Sequence, residues 1–144
     1  MKPKIDWMIE LLANGCVCQE CGKVEFGFRP YLCDAHTRGM NRYGHPEFQM
    51  VLHVNPEEIC RILNTLGLMV QSGHKFSDNE FVSGIYEDCV VQLKQFWVEN
   101  KYVYRVIIPD KNNVFPEKRS CEYPYSHQLL PTHNLYVGRN HGHI

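Results

Sequence analysis

The stretch NPEEICRILNTLGLMVQSG, residues 55–73, restricts the fold more than any other part of the chain. Asn55 is a side chain that caps helix amides, Pro56 fits a first helical position, and Glu57 and Glu58 sit at the positive end of the helix dipole. Ile59, Ile62, Leu63, Leu66 and Val70 recur at helical spacing, and Gly73 supplies a terminator. The result is one amphipathic helix whose apolar stripe needs a covering layer. Gly67 inside it costs about 1 kcal/mol relative to alanine, so it marks a close packing contact.

The neighbouring segments supply that layer as strands. FQMVLHV (48–54) precedes the helix, and FVSGIY (81–86), CVVQLKQFWV (89–98) and YVYRVIIPD (102–110) follow it. The VENKY break suits a hairpin between the last two. Residues 4–14 read as a short N-terminal helix, since Ile5, Met8, Ile9 and Leu12 have helical spacing and Asn14-Gly15 is a stop signal. Residues 15–36 read as loop, and Pro116, Pro124 and Pro131 make the end an irregular tail. The expected architecture is α+β: a mainly antiparallel sheet packed against one main helix, with an N-terminal helix and a zinc-knuckle-like loop. One domain spans 1–144, with a metal-binding lead-in at 1–36, a core at 37–117 and a tail at 118–144.

With 144 residues, 44% hydrophobic and 22% charged, the chain has the composition of a globular domain. A net charge of -1 offers no basic field for nucleic acid or anionic lipid. Asp6 and Glu10 interrupt the only early apolar run, which argues against a signal peptide or a membrane span and for the cytosol.

Seven cysteines, an odd number, argue against a disulfide framework. Cys18 and Cys21 form C-x-x-C, and Cys33 and His36 form C-x-x-H. Two short pairs from separate turns are a common way to build a tetrahedral zinc site, and four protein ligands make it structural. Cys16 and Cys121 are alternate ligands, His127 is another donor able to fold back, and Asp34 is placed to orient His36. A redox role for C-x-x-C and a [2Fe–2S] cluster are competing readings of the same thiols.

Thr37, Gly39 and Met40 are followed by Gly44-His45-Pro46-Glu47 and the strand FQMVL. With FSDNEFVSGIYEDCVVQL and IIPDKNNVFPE, this pattern resembles the bacterial domain-of-unknown-function family DUF4262 over roughly residues 35–117. Ile108 and Glu117 stand where that family tends to have aromatic residues, and the cysteine-rich lead-in looks like an addition to it. The resemblance implies an α+β domain and no established activity. From their chemistry, His45 and Glu47 are the catalytic candidates, as base and orienter, with Asp110 a further carboxylate. The competing reading is a tight turn into a strand, with His45 bonded to a backbone carbonyl. Tyr123, Tyr125 and Tyr136 with Arg139 have the chemistry to stack on a base or peptide, although tail aromatics usually cover their own core. His141 and His143 sit near the C-terminal end, where fraying is the default.

These features rank a zinc-stabilised binding or regulatory module first, taking a protein or small-molecule partner. A small hydrolase or transferase using His45 and Glu47 comes second, and a thiol-based sensor built on Cys16 third.

Overall fold

A computed structural model of the chain describes residues 4–15 and 27–137. Six strands form one mixed sheet: β1 (Met8–Ala13), β2 (Leu32–Arg38), β3 (Glu47–Leu52), β4 (Phe81–Val82), β5 (Val91–Val98) and β6 (Lys101–Ile107). Their spatial order is β1-β2-β3-β6-β5-β4. All neighbours are antiparallel except β3 and β6, which run parallel at the centre. The helix α1 (Pro56–Gln71) lies between β3 and the later strands in sequence. The α+β expectation and the mostly antiparallel pairing therefore hold, with one parallel junction added.

α1 begins as its sequence dictates. The Asn55 side chain accepts a hydrogen bond from the Glu57 amide at 2.8 Å, and Pro56 occupies the first turn. Ile59, Ile62, Leu63, Leu66 and Val70 are buried and belong to one core with Phe48, Met50, Leu93, Tyr104 and Val106 of the sheet. Each such aliphatic side chain contributes about 1.5–3 kcal/mol by leaving water. Gly67 is where Trp7 crosses the helix: a Cβ there would lie 2.5 Å from the indole. Trp7 also donates through Nε1 to Asn64 at 2.8 Å.

The N-terminal helix expected over 4–14 is instead strand β1, paired residue for residue with β2 from Met8↔Arg38 to Ala13↔Cys33. Helical spacing placed Met8 and Leu12 on a buried stripe, yet both are exposed, while Ala13 is fully buried. Pairing with a distant strand outweighed a local signal that was only marginally helical. The loop expected over 15–36 likewise ends early, because β2 starts at Leu32 and crosses the expected boundary at 36/37. Only Phe81–Val82 of the strand expected over 81–86 pairs.

The second face of the sheet is covered by the tail. Arg105, on β6, is wholly buried there and binds the tail backbone directly. The sheet thus lies between α1 and residues 128–132. Among the described residues no helix is long and apolar enough to cross a membrane.

Candidate functional site

Strand alternation decides the fate of the expected metal ligands. On β2, Cys33, Ala35 and Thr37 turn toward α1, and Asp34, His36 and Arg38 turn to the opposite face. Cys33 is fully buried in the core, its Sγ 3.8 Å from the Met50 carbonyl. Residues three apart on a strand cannot chelate one ion as they do in a turn. Cys33 and His36 therefore face opposite sides of the sheet and do not converge as a pair. Cys16, Cys18, Cys21, Arg139, His141 and His143 lie outside the described residues. Cys121 donates to the Val114 carbonyl at 3.2 Å, and burial raises its thiol pKa. The ring of His127 sits against Tyr123, with Nδ1 3.0 Å from the Ser126 hydroxyl. Among the described residues, no three His, Cys, Asp or Glu side chains are grouped to hold a metal.

His36 instead joins a polar chain across the outer face. Its Nε2 is 2.9 Å from Glu10 and its Nδ1 3.6 Å from Asp34, which also accepts from Gln49 at 2.9 Å. Gln49 in turn accepts from Arg105 Nε at 2.8 Å. Asp34 raises the pKa of His36, burial opposes that, and Glu10 adds to the rise. Burial works against ionised Asp34, but bonds from His36 and Gln49 prevail and hold its pKa below the usual carboxylate value. With a carboxylate near each ring nitrogen, the protonated form of His36 is favoured more than in a free imidazole. Asp34 does contact His36, as expected. The cleft over this network, bounded by Arg38, Glu47 and Lys101, has about 40 Å³ of open space. That is room for a few waters.

Arg105 completes the network. Its guanidinium donates to the carbonyls of Gln128 and Leu130 and to Thr132 Oγ1, and lies 3.6 Å from the centre of the Phe96 ring. Among the described residues no carboxylate pairs with it directly, and burial brings its pKa down to about 10.

His45 and Glu47 are spent on backbone. Nδ1 of His45 lies 2.8 Å from the Pro46 carbonyl, and Nε2 accepts from the Phe76 amide at 3.4 Å. Burial lowers its pKa, which suits a neutral ring with the proton on Nδ1. Gly44 before it adopts the left-handed conformation at φ 70°, as a tight turn demands. Glu47 accepts from Thr37 at 2.7 Å, Gly39 at 2.9 Å and Met40 at 3.2 Å. This is the turn geometry, and both residues also border an open hollow of about 490 Å³ with Arg38, Lys101 and Tyr102. Asp110 is also taken up by backbone bonds. Burial opposes its charge, but amides of Asn112, Val114 and Glu122, each at 2.9 Å, keep its pKa low.

Open hollows of about 490 Å³ beside His45 and Glu47 and about 460 Å³ beside Asp34 and Thr132 flank these groups, and two more openings lie at the carboxyl ends of the parallel strands β3 and β6. Open sheets place ligands beyond these ends, where connections leave in opposite directions. Two adjoining crevices of about 310 and 230 Å³ meet there, sharing Leu52, Val54, Lys111 and Tyr125. Tyr31 and Tyr123 line the first, and Tyr86 lines the second. Burial raises the Tyr86 pKa to about 12, keeping its hydroxyl neutral. Tyr123 is fixed by donation to the Pro30 carbonyl. Tyr31 is different: it is 68% exposed, yet its φ is 64°, a conformation that disfavours side chains with a Cβ.

Sequence reasoning singled out Tyr123 and Tyr125 as covering the core; Tyr125 does pack against it, and both also line the crevice. Tyr136, the third, stacks on Phe28 at 4.1 Å. Tyr31 and Tyr86 were missed. The available signals were Pro30-Tyr31 at a turn and an aromatic ahead of β5, and neither is specific. Comparison with protein-family models, with curated proteins and with solved structures returns no match.

Proposed function

We propose that the chain is a non-catalytic small-molecule-binding module whose site is the tyrosine-lined crevice beyond β3 and β6. The observation that carries this reading is Tyr31. A bulky side chain held at positive φ and left in water contributes little to the core, and backbone strain of this kind concentrates where a protein meets a ligand. The crevice supports the reading by its position and its several aromatic walls. Elsewhere, His36 is held between Glu10 and Asp34, and His45 and Glu47 are hydrogen-bonded within their turn.

Amide chemical-shift mapping against a fragment set tests this. Bound fragments are expected to shift His53, Val54, Lys111 and the segment 122–125. Shifts confined to the His36 face or to the His45 turn would overturn the assignment.

Zinc binding is a separate proposal, supported by the spacing of Cys16, Cys18 and Cys21 and no longer by Cys33 and His36 as a pair. Zinc content per purified chain, before and after chelation, is its test. Less than a tenth of an equivalent would remove it.

A further inference from the structure

We propose that the crevice takes an organic cation, a quaternary or methylated ammonium group; this rests on the crevice being the ligand site. Two independent features point to that chemistry. The first is its walls: Tyr31, Tyr123 and Tyr125 line the first crevice, and Tyr86 and Tyr125 line the adjoining second. Ring faces carry negative potential, and clustered rings are how proteins hold ammonium groups that cannot donate hydrogen bonds.

The second feature is charge. Glu122 lines the first crevice and Asp88 and Asp110 the second, with Lys111 bordering both and the Arg61 guanidinium 5.5 Å from the centre of the Tyr86 ring. Asp110 is held ionised by its three amide bonds. Asp88 and Glu122 make no ion pair with any described residue, so their charges remain available to a ligand. Lys111 is exposed on a long flexible stem and can turn outward, whereas the Asp110 carboxylate cannot move. An anion would face more carboxylates than ammonium groups. A neutral guest would gain the walls but none of the field. The 310 Å³ opening lies within the range of small-molecule sites, at the small end.

The test uses the full chain and calorimetric titration with choline, with its neutral isostere 3,3-dimethyl-1-butanol, and with benzoate. Choline is expected to bind about tenfold tighter than the isostere, with benzoate weakest. Glu122→Gln is expected to weaken choline about threefold and leave the isostere unchanged, and Tyr31→Gly to weaken choline about fivefold. Circular dichroism confirms that both variants fold. Equal affinity for choline and the isostere, or a preference for benzoate, overturns the cation assignment while leaving the crevice as a ligand site. No heat from any of the three, together with no fragment shifts at the crevice, overturns both readings.

Discussion

Replacing Tyr31 by glycine is expected to make the protein more stable. The left-handed backbone costs a residue with a Cβ about 1–2 kcal/mol, and glycine is free of that cost. Glycine gives back about 0.5–1 kcal/mol through its greater freedom in the unfolded chain. The ring is 68% exposed, so little apolar burial is lost. The Tyr31 carbonyl, which accepts from the His53 amide at 2.9 Å, survives the substitution. The balance is a gain of about 0.5–1 kcal/mol, or roughly 1–4 °C in Tm for a domain of this length. The chain itself offers comparators. Asn79, Asn100 and Asn113 also have positive φ, and asparagine tolerates that region well, whereas tyrosine does not. Tyr31→Asn should therefore stabilise too, by a smaller margin. Urea denaturation with matched m-values reads both variants. A loss exceeding about 1 kcal/mol in Tyr31→Gly would show that the ring supports the fold, removing the argument that it is kept for a ligand.

Gly67→Ala gains about 1 kcal/mol of helix propensity but meets the Trp7 indole, so a net loss of about 1–2 kcal/mol with a shifted tryptophan emission is expected; unchanged stability would mean the close packing is not tight. Because the pKa of His36 is raised above its ordinary 6.5, its contribution is complete below that value and is lost as pH rises through the folded pKa. His45, with a lowered pKa, acts in the opposite sense: its contribution is present above 6.5 and fades as pH falls through its folded pKa. The difference between the wild type and His36→Gln, followed by urea midpoints from pH 5 to 8.5, should shrink as pH rises; a difference that does not vary with pH refutes the ionic contact with Glu10 and Asp34. Arg105→Met strands the acceptors on Gln49, Gln128, Leu130 and Thr132, so a loss of at least about 3 kcal/mol and faster proteolysis between 128 and 135 are expected; wild-type resistance would show that the tail is held by something else.

α1 and the β5–β6 hairpin were legible because their signals are local: a cap, a 3.6-residue stripe, and a turn between two apolar runs. Gly67 was legible for the same reason, as a residue that a helix tolerates only for cause. β1 was not, because Ile5, Met8, Ile9 and Leu12 satisfy a helical count by coincidence, while the partner that makes the segment a strand lies more than twenty residues away. β2 shows how a motif can hide a period. Cys33, Ala35 and Thr37 alternate with Asp34, His36 and Arg38 in plain view, yet C-x-x-H draws the eye to residues that point in opposite directions. His45 and Glu47 looked catalytic because turn chemistry and acid–base chemistry use the same side chains. The crevice was least legible, since Tyr31, Tyr86 and Tyr125 come together only after β3 and β6 pair in parallel.

Intermolecular nuclear Overhauser effects between the methyl protons of choline and the protein test the central claim most directly. Cross-peaks to the ring protons of Tyr31, Tyr123 and Tyr125 are the predicted result. Cross-peaks to side chains on the His36 face, or none at a choline concentration that saturates the titration, would contradict it.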